Sequence, residues 1–208
     1  MVTQETRSSC PPVADTHAKR LRWWIDLEPQ WRVAFQYAFF GHTGEPAPEQ
    51  LESLWQTPVL RFAGPRAPYP NVRFELTNGS GLKGMSNLEI LVLTHHQLTG
   101  LEDLAGLRNL KSLFVNNNAL LSLTGLESLT RLEQLHAQLN HIESLTPIQK
   151  LTSLRELYVS LNRLQTLDGL TRQHSRALKT FFCLPNEHLP DRVLLRAERT
   201  LGIRCRSL

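Results

Sequence analysis

Four stretches decide the fold: LEILVLTHHQL at 88–98, LKSLFVNNNAL at 110–120, LEQLHAQLNHI at 132–142 and LRELYVSLNRL at 154–164. Successive starts are 22 residues apart, and each stretch repeats one pattern. The copies read Leu88-x-x-Leu91-x-Leu93-x-x-His96-x-Leu98, Leu110-x-x-Leu113-x-Val115-x-x-Asn118-x-Leu120, Leu132-x-x-Leu135-x-Ala137-x-x-Asn140-x-Ile142 and Leu154-x-x-Leu157-x-Val159-x-x-Asn162-x-Leu164. The alternation at the fourth and sixth positions describes a short strand with one buried face. Between copies the apolar residues fall three apart, as in Leu98, Leu101, Leu104 and Leu107, which suits a tight return that turns one leucine inward per step. No single copy buries its own leucines, whereas a stack makes one continuous core. The Asn near each strand end stands at a sharp bend. There its amide both donates to and accepts from backbone groups left unpaired.

These residues resemble the leucine-rich-repeat family, and the 22-residue length resembles the class found in bacterial internalins and in a regulatory subunit of protein phosphatase 1. The resemblance runs from about Leu76 to Leu189. It implies an α/β solenoid, a right-handed superhelix with a parallel sheet on its concave side, whose usual work is protein recognition.

Outward from the four copies the pattern loosens. A fifth unit, Leu178-x-x-Phe181-x-Cys183-x-x-Asn186-x-x-Leu189, begins 24 residues after Leu154, so two extra residues enter within 172–176, expected as a bulge. His96 replaces Asn at the first bend, leaving it looser or held by the imidazole. Upstream, Leu76, Leu82 and Met85 fit the return of a degenerate unit whose strand is expected near Val72 to Phe74. The expected divisions are a disordered arm at 1–19, a helical N-terminal cap at 20–70, about five to six repeats at 71–189 and a helix-strand C-terminal cap at 190–208.

A solenoid needs such caps over its apolar ends. In the first, Trp31, Phe35, Ala38 and Phe39 recur at helical spacing between Pro29 and Gly41, and Trp23 and Trp24 precede that helix. A second helix is expected over Pro48 to Gln56, and the proline-rich stretch from Thr57 to Pro70 reads as irregular. In the last segment Val193, Leu194, Ala197 and Leu201 share a helical face, Gly202 stops the helix, and Ile203 to Cys205 read as a closing strand.

Composition agrees with a packed chain: 41% hydrophobic and 20% charged residues. No stretch approaches the roughly 18 apolar residues of a membrane span. The first twenty residues lack the apolar core of a secretory signal, which points to the cytoplasm. Three cysteines at wide spacing give neither a disulfide framework nor a zinc pattern. Cys183 reads as a small buried hydrophobe, and a bridge to Cys205 stays open without support from spacing.

No phosphate loop, nucleophile elbow or metalloprotease helix is present in the sequence. His95 and His96 are adjacent, so on a strand they face opposite sides and cannot chelate jointly. No cofactor and no catalytic residue is expected, and the chain is read as a non-enzyme.

The informative positions are the outward strand residues, stacked roughly 4.8 Å apart. One column reads Val92, Phe114, His136, Tyr158 and Phe182; its neighbours include Asn116 and Gln138 on one side and Glu156 on the other. An aromatic row on a nearly uncharged sheet either covers itself and adds cross-strand stability or marks an interaction site. The reading adopted is a binding module that grips a protein or peptide through this row, with His136 as a pH-sensitive contact. Neither nucleic acid nor membrane is the expected partner, and self-association is left open. The alternative rests on the chain from Thr171 onward, where eight basic residues meet three acidic ones. Arg192, Arg196, Arg199, Arg204 and Arg206 there offer a surface for nucleic acid or acidic partners.

Overall fold

The computed structural model describes residues 13–68 and 71–207. Its spine is a single parallel sheet of seven strands in sequence order: β1 (Val59–Ala63), β2 (Ile90–Thr94), β3 (Ser112–Phe114), β4 (Gln134–His136), β5 (Glu156–Tyr158), β6 (Thr180–Leu184) and β7 (Arg206–Ser207). The repeat leucines at Leu91, Leu113, Leu135 and Leu157 pair across neighbouring strands in one row and are fully buried. Burying each such side chain contributes roughly 1.5–3 kcal/mol. The return segments hold the second half of the core, with Leu104, Leu126, Ile148 and Leu151 buried behind the sheet. Gly169 sits at φ +109°, and a Cβ there would meet the Leu145 carbonyl oxygen at 2.0 Å, so the return closes only on glycine.

The bends are held by one device repeated. Asn140 Oδ1 accepts the Leu120 N–H at 3.0 Å, while its Nδ2 donates to the Val115 and Ala137 carbonyls at 3.0 and 3.1 Å. Asn118, Asn162 and Asn186 do the same one unit before or after. His96 fills this role with a ring. The Leu76 N–H donates to its Nδ1 at 3.2 Å, so the ring proton is on Nε2, which donates to the Phe62 carbonyl at 3.2 Å. That bend is therefore held by the imidazole. Burial pushes the His96 pKa down to about 4.

The first strand lies elsewhere than expected. Val72 to Phe74 form no strand; β1 occupies Val59–Ala63, inside the stretch read as irregular, and pairs Leu60 with Leu91 and Phe62 with Leu93. It precedes β2 by 31 residues instead of 22, because the chain makes a detour after Gly64 before rejoining the register at Leu76. The two extra residues of the fifth unit form a helical turn, α4 (His174–Ala177), not a bulge. His174 is fully buried there, accepting the Thr171 N–H at Nδ1 and donating from Nε2 to the Ile148 carbonyl.

The N-terminal cap is made of α1 (Val13–Asp26), α2 (Pro29–Phe35) and α3 (Pro48–Gln56). Helix α1 begins within the segment read as a disordered arm, whose residues 1–12 lie outside the described residues, and it carries Trp23 and Trp24 itself. Trp31 meets Phe62 edge-on at 5.5 Å, joining cap to β1, and its Nε1 donates to Asn78. A Cβ on Gly81 would lie 2.3 Å from the Trp31 ring, so the first return must be bare there. A π-helical turn at Gln36–Phe40 rotates the end of α2, which exposes Ala38 and leaves Ala34 in the core place beside Phe35.

At the other end α5 (Asp191–Arg196) runs into a similar turn closed by Gly202. The closing strand comes at Arg206–Ser207, after the expected Ile203 to Cys205. Cys183 on β6 and Cys205 are joined in a disulfide, with Cα atoms 5.7 Å apart. The wide spacing of the cysteines hid this bond because the solenoid brings residues 22 apart onto neighbouring strands.

Candidate functional site

Strand register places Val92, Phe114, His136, Tyr158 and Phe182 in one row on the open face of the sheet. The side chains between them alternate into the core, so the row is forced outward by the same Leu-x-Leu pattern that builds the fold. Their rings form a continuous ladder. Phe114 and His136 are 4.6 Å apart between centroids, His136 and Tyr158 4.1 Å, and Tyr158 and Phe182 5.0 Å, the last two nearly parallel. Each ring is half-buried by its neighbours and keeps the rest of its surface open. Such contacts contribute roughly 0.5–1.5 kcal/mol per pair, so the ladder stabilises the sheet while leaving apolar surface outside.

The structure extends the row at both ends with residues the sequence reading missed. Arg61 precedes it, paired with Val92, and Arg206 follows, paired with Phe182. Arg61 was hidden because its strand stands 31 residues from the next; the one signal was the Leu60-Arg61-Phe62 alternation between Pro58 and Gly64.

The flanking rows are mostly polar. Glu156 lies beside the ladder with Ser112 and Gln134, whose side chains bond at 2.7 Å, and its carboxylate is 3.9 Å from His136 Nε2. Burial lowers the His136 pKa below its ordinary value, with Glu156 pulling the other way, so the ring is a neutral aromatic at pH 7. On the other side Asn116 and Gln138 stand half-buried, and Gln138 Oε1 and the buried Ser160 Oγ have no hydrogen-bond partner among the described residues.

Beyond Asn116 and Gln138 runs a ridge that sequence reasoning did not single out. His95, Asn117, Leu139 and Leu161 all have φ between 56° and 60°. Asn tolerates this left-handed region, whereas leucine there costs roughly 1–2 kcal/mol. Leu139 and Leu161 are also 42% and 43% exposed, so they carry strain without a core contact in return. The available signal was the column one place before each bend residue, His95, Asn117, Leu139 and Leu161, in which leucine stands where Asn or Gly costs less.

Arg204 pairs with Glu198 at 2.8 Å and Arg172 donates to the Thr200 carbonyl, while Arg192, Arg196 and Arg199 are solvated on the cap helix. Among the described residues no group of three His, Cys, Asp or Glu side chains is placed to hold a metal ion. No helix among the described residues is long and apolar enough to cross a membrane.

Comparison with known proteins places the fold. No family model matches the sequence, and no curated protein does. Among solved structures, the chain is similar to an internalin C2 from Listeria monocytogenes, with a TM-score of 0.56 and 21% identity over 86% of this chain and 91% of that one. It is also similar to an internalin, InlF, from the same organism, with a TM-score of 0.55 and 22% identity. That match covers 64% of this chain and only 39% of InlF. The chain thus has the internalin-type leucine-rich-repeat fold.

Proposed function

We propose that this chain is a non-catalytic binding module that holds a protein or peptide partner on the concave face of its sheet. The observation that supports this most is the ring ladder of Phe114, His136, Tyr158 and Phe182, half-open on a rigid and nearly uncharged surface. Aromatic anchors fixed by neighbours lose little entropy on binding and dominate interface energetics. Val92, Asn116, Gln138 and Glu156 supply the polar and aliphatic border, and Arg61 and Arg206 bracket the row. The scattered cationic cap favours this reading over the nucleic-acid alternative, which needs convergent phosphate contacts. The disulfide moves the proposed location from the cytoplasm to a compartment that does not reduce such bonds.

The test is affinity capture from source-cell lysate with wild-type chain beside Phe114→Glu/Tyr158→Glu, both shown to be folded by circular dichroism. The proposal expects a protein that wild type retains and the variant loses by about 100-fold in affinity. Equal retention by both baits would move the interface off the ladder.

A further inference from the structure

A groove of about 610 Å³ runs along the strand ends, outside the ring ladder, and the left-handed ridge forms its wall. Asn117, Leu139, Leu161 and Pro185 follow one another along it, beside His141 and the bend asparagines, with no formally charged residue between its ends. Its two ends differ in sign. Arg66 stands at the first, exposed though paired with Glu75; Glu187 stands at the last, exposed and without an ion pair among the described residues. His95 lines the positive end, and its Nδ1 has no hydrogen-bond partner among the described residues.

We propose that this groove binds an extended peptide with an apolar middle, an acidic residue at the Arg66 end and a basic residue at the Glu187 end. Three observations carry it. Two leucines are held outward at backbone angles that asparagine adopts at lower cost, so the ridge presents exposed apolar side chains at a cost in backbone strain. The end charges complement a ligand of opposite polarity: Arg66 is shared with Glu75, and Glu187 has no ion pair among the described residues. The dimensions fix the ligand as a chain: the wall from His95 to Pro185 climbs four strand steps, about 19 Å at roughly 4.8 Å each, which about six extended residues span at roughly 3.3 Å apiece. The ridge N–H groups already bond to the next unit, as Leu139 does to Ser160 and Leu161 to Pro185. Recognition is therefore through side chains and not by adding a strand.

The inference shares with the proposed function only that the chain binds polypeptide, and it uses a different row of residues. Its test uses blocked hexapeptides Asp-Leu-Pro-Leu-Leu-Lys and Lys-Leu-Leu-Pro-Leu-Asp, one for each chain direction, read by fluorescence polarisation on the disulfide-bonded protein. Controls carry serine for leucine, or like charges at both ends. One opposite-ended peptide is expected to bind at least about tenfold more tightly than every control. Leu139→Asn/Leu161→Asn should cut that binding about tenfold or more while the melting temperature holds or rises. Glu187→Lys should shift preference to the peptide acidic at both ends, and Phe114→Glu/Tyr158→Glu should bind as wild type does. The proposal is overturned if neither peptide exceeds its serine control, or if the leucine variant binds normally. Equal loss in the ladder variant would put the peptide on the ladder instead. A dimer in sedimentation that Leu139→Asn/Leu161→Asn abolishes would make a second copy the occupant.

Discussion

Two columns climb this solenoid side by side with opposite fates. The bend column, His96, Asn118, Asn140, Asn162 and Asn186, faces inward, and its side chains spend their hydrogen bonds on the backbone of neighbouring units. The ring column, Phe114, His136, Tyr158 and Phe182, faces outward and contacts its own kind, leaving surface free. The same periodicity produces both. What separates them is what each meets inside the chain: the bends meet orphaned N–H and C=O groups, the rings meet one another, the Glu156 carboxylate beside His136, and solvent. Substitution in the first column should therefore be felt as stability, and in the second as binding.

The largest effect should come from Asn140→Ala. It removes four side-chain hydrogen bonds at a residue only 4% exposed and leaves the Leu120 N–H without its acceptor, while the Val115 and Ala137 carbonyls keep donors in Asn118 and Asn162. With roughly 1–3 kcal/mol for the orphaned N–H and roughly 0.5–1.5 kcal/mol for each bond lost to the two carbonyls, a loss of about 4 kcal/mol is expected in denaturant unfolding. A loss below about 1 kcal/mol would erase the distinction between the columns.

Next is the disulfide that closes the stack at β6 and β7. With the cysteines 22 positions apart, Cys205→Ser should cost about 3 kcal/mol relative to oxidised wild type. Full reduction should bring the two proteins to the same unfolding midpoint.

His96 sharpens the comparison, since it is the one bend residue that titrates. Its folded pKa of about 4 lies below the ordinary 6.5, so between those values the unfolded chain binds the extra proton. Stability is full above pH 6.5 and is lost as pH falls towards 4, by up to about 3 kcal/mol. His174 and His136, also lowered by burial, add in the same direction. Asparagine keeps one acceptor and one donor at the bend, so His96→Asn should flatten this acid sensitivity, read as melting temperature against pH for both proteins. Parallel curves would mean that the imidazole is not the group being titrated.

The smallest stability effect belongs to the rings. Phe114→Glu/Tyr158→Glu breaks three ring contacts at roughly 0.5–1.5 kcal/mol each, about 2 kcal/mol together, and leaves the core untouched.

The repeats, the bend asparagines and the ring column were legible in the sequence because all three follow from a fixed period of 22. What lay off that period was not. Strand β1 is displaced by the detour after Gly64, so a search in steps of 22 passes over Leu60 and Phe62 and takes Arg61 with them. The Cys183–Cys205 bond joins residues that become neighbours only once β6 and β7 pair. The left-handed ridge was invisible for another reason: a leucine's φ is set by the bend that follows it, and an exposed, strained leucine has the same letter as a core one.

The most direct test of the outward column is oxidative labelling of its rings with the captured partner bound and absent. Tyr37, 64% exposed on the N-terminal cap, serves as the internal reference. If the ladder is the interface, Tyr158 and Phe182 lose labelling in the complex while Tyr37 keeps it. Undiminished labelling of Tyr158 and Phe182 in a saturated complex would contradict the account.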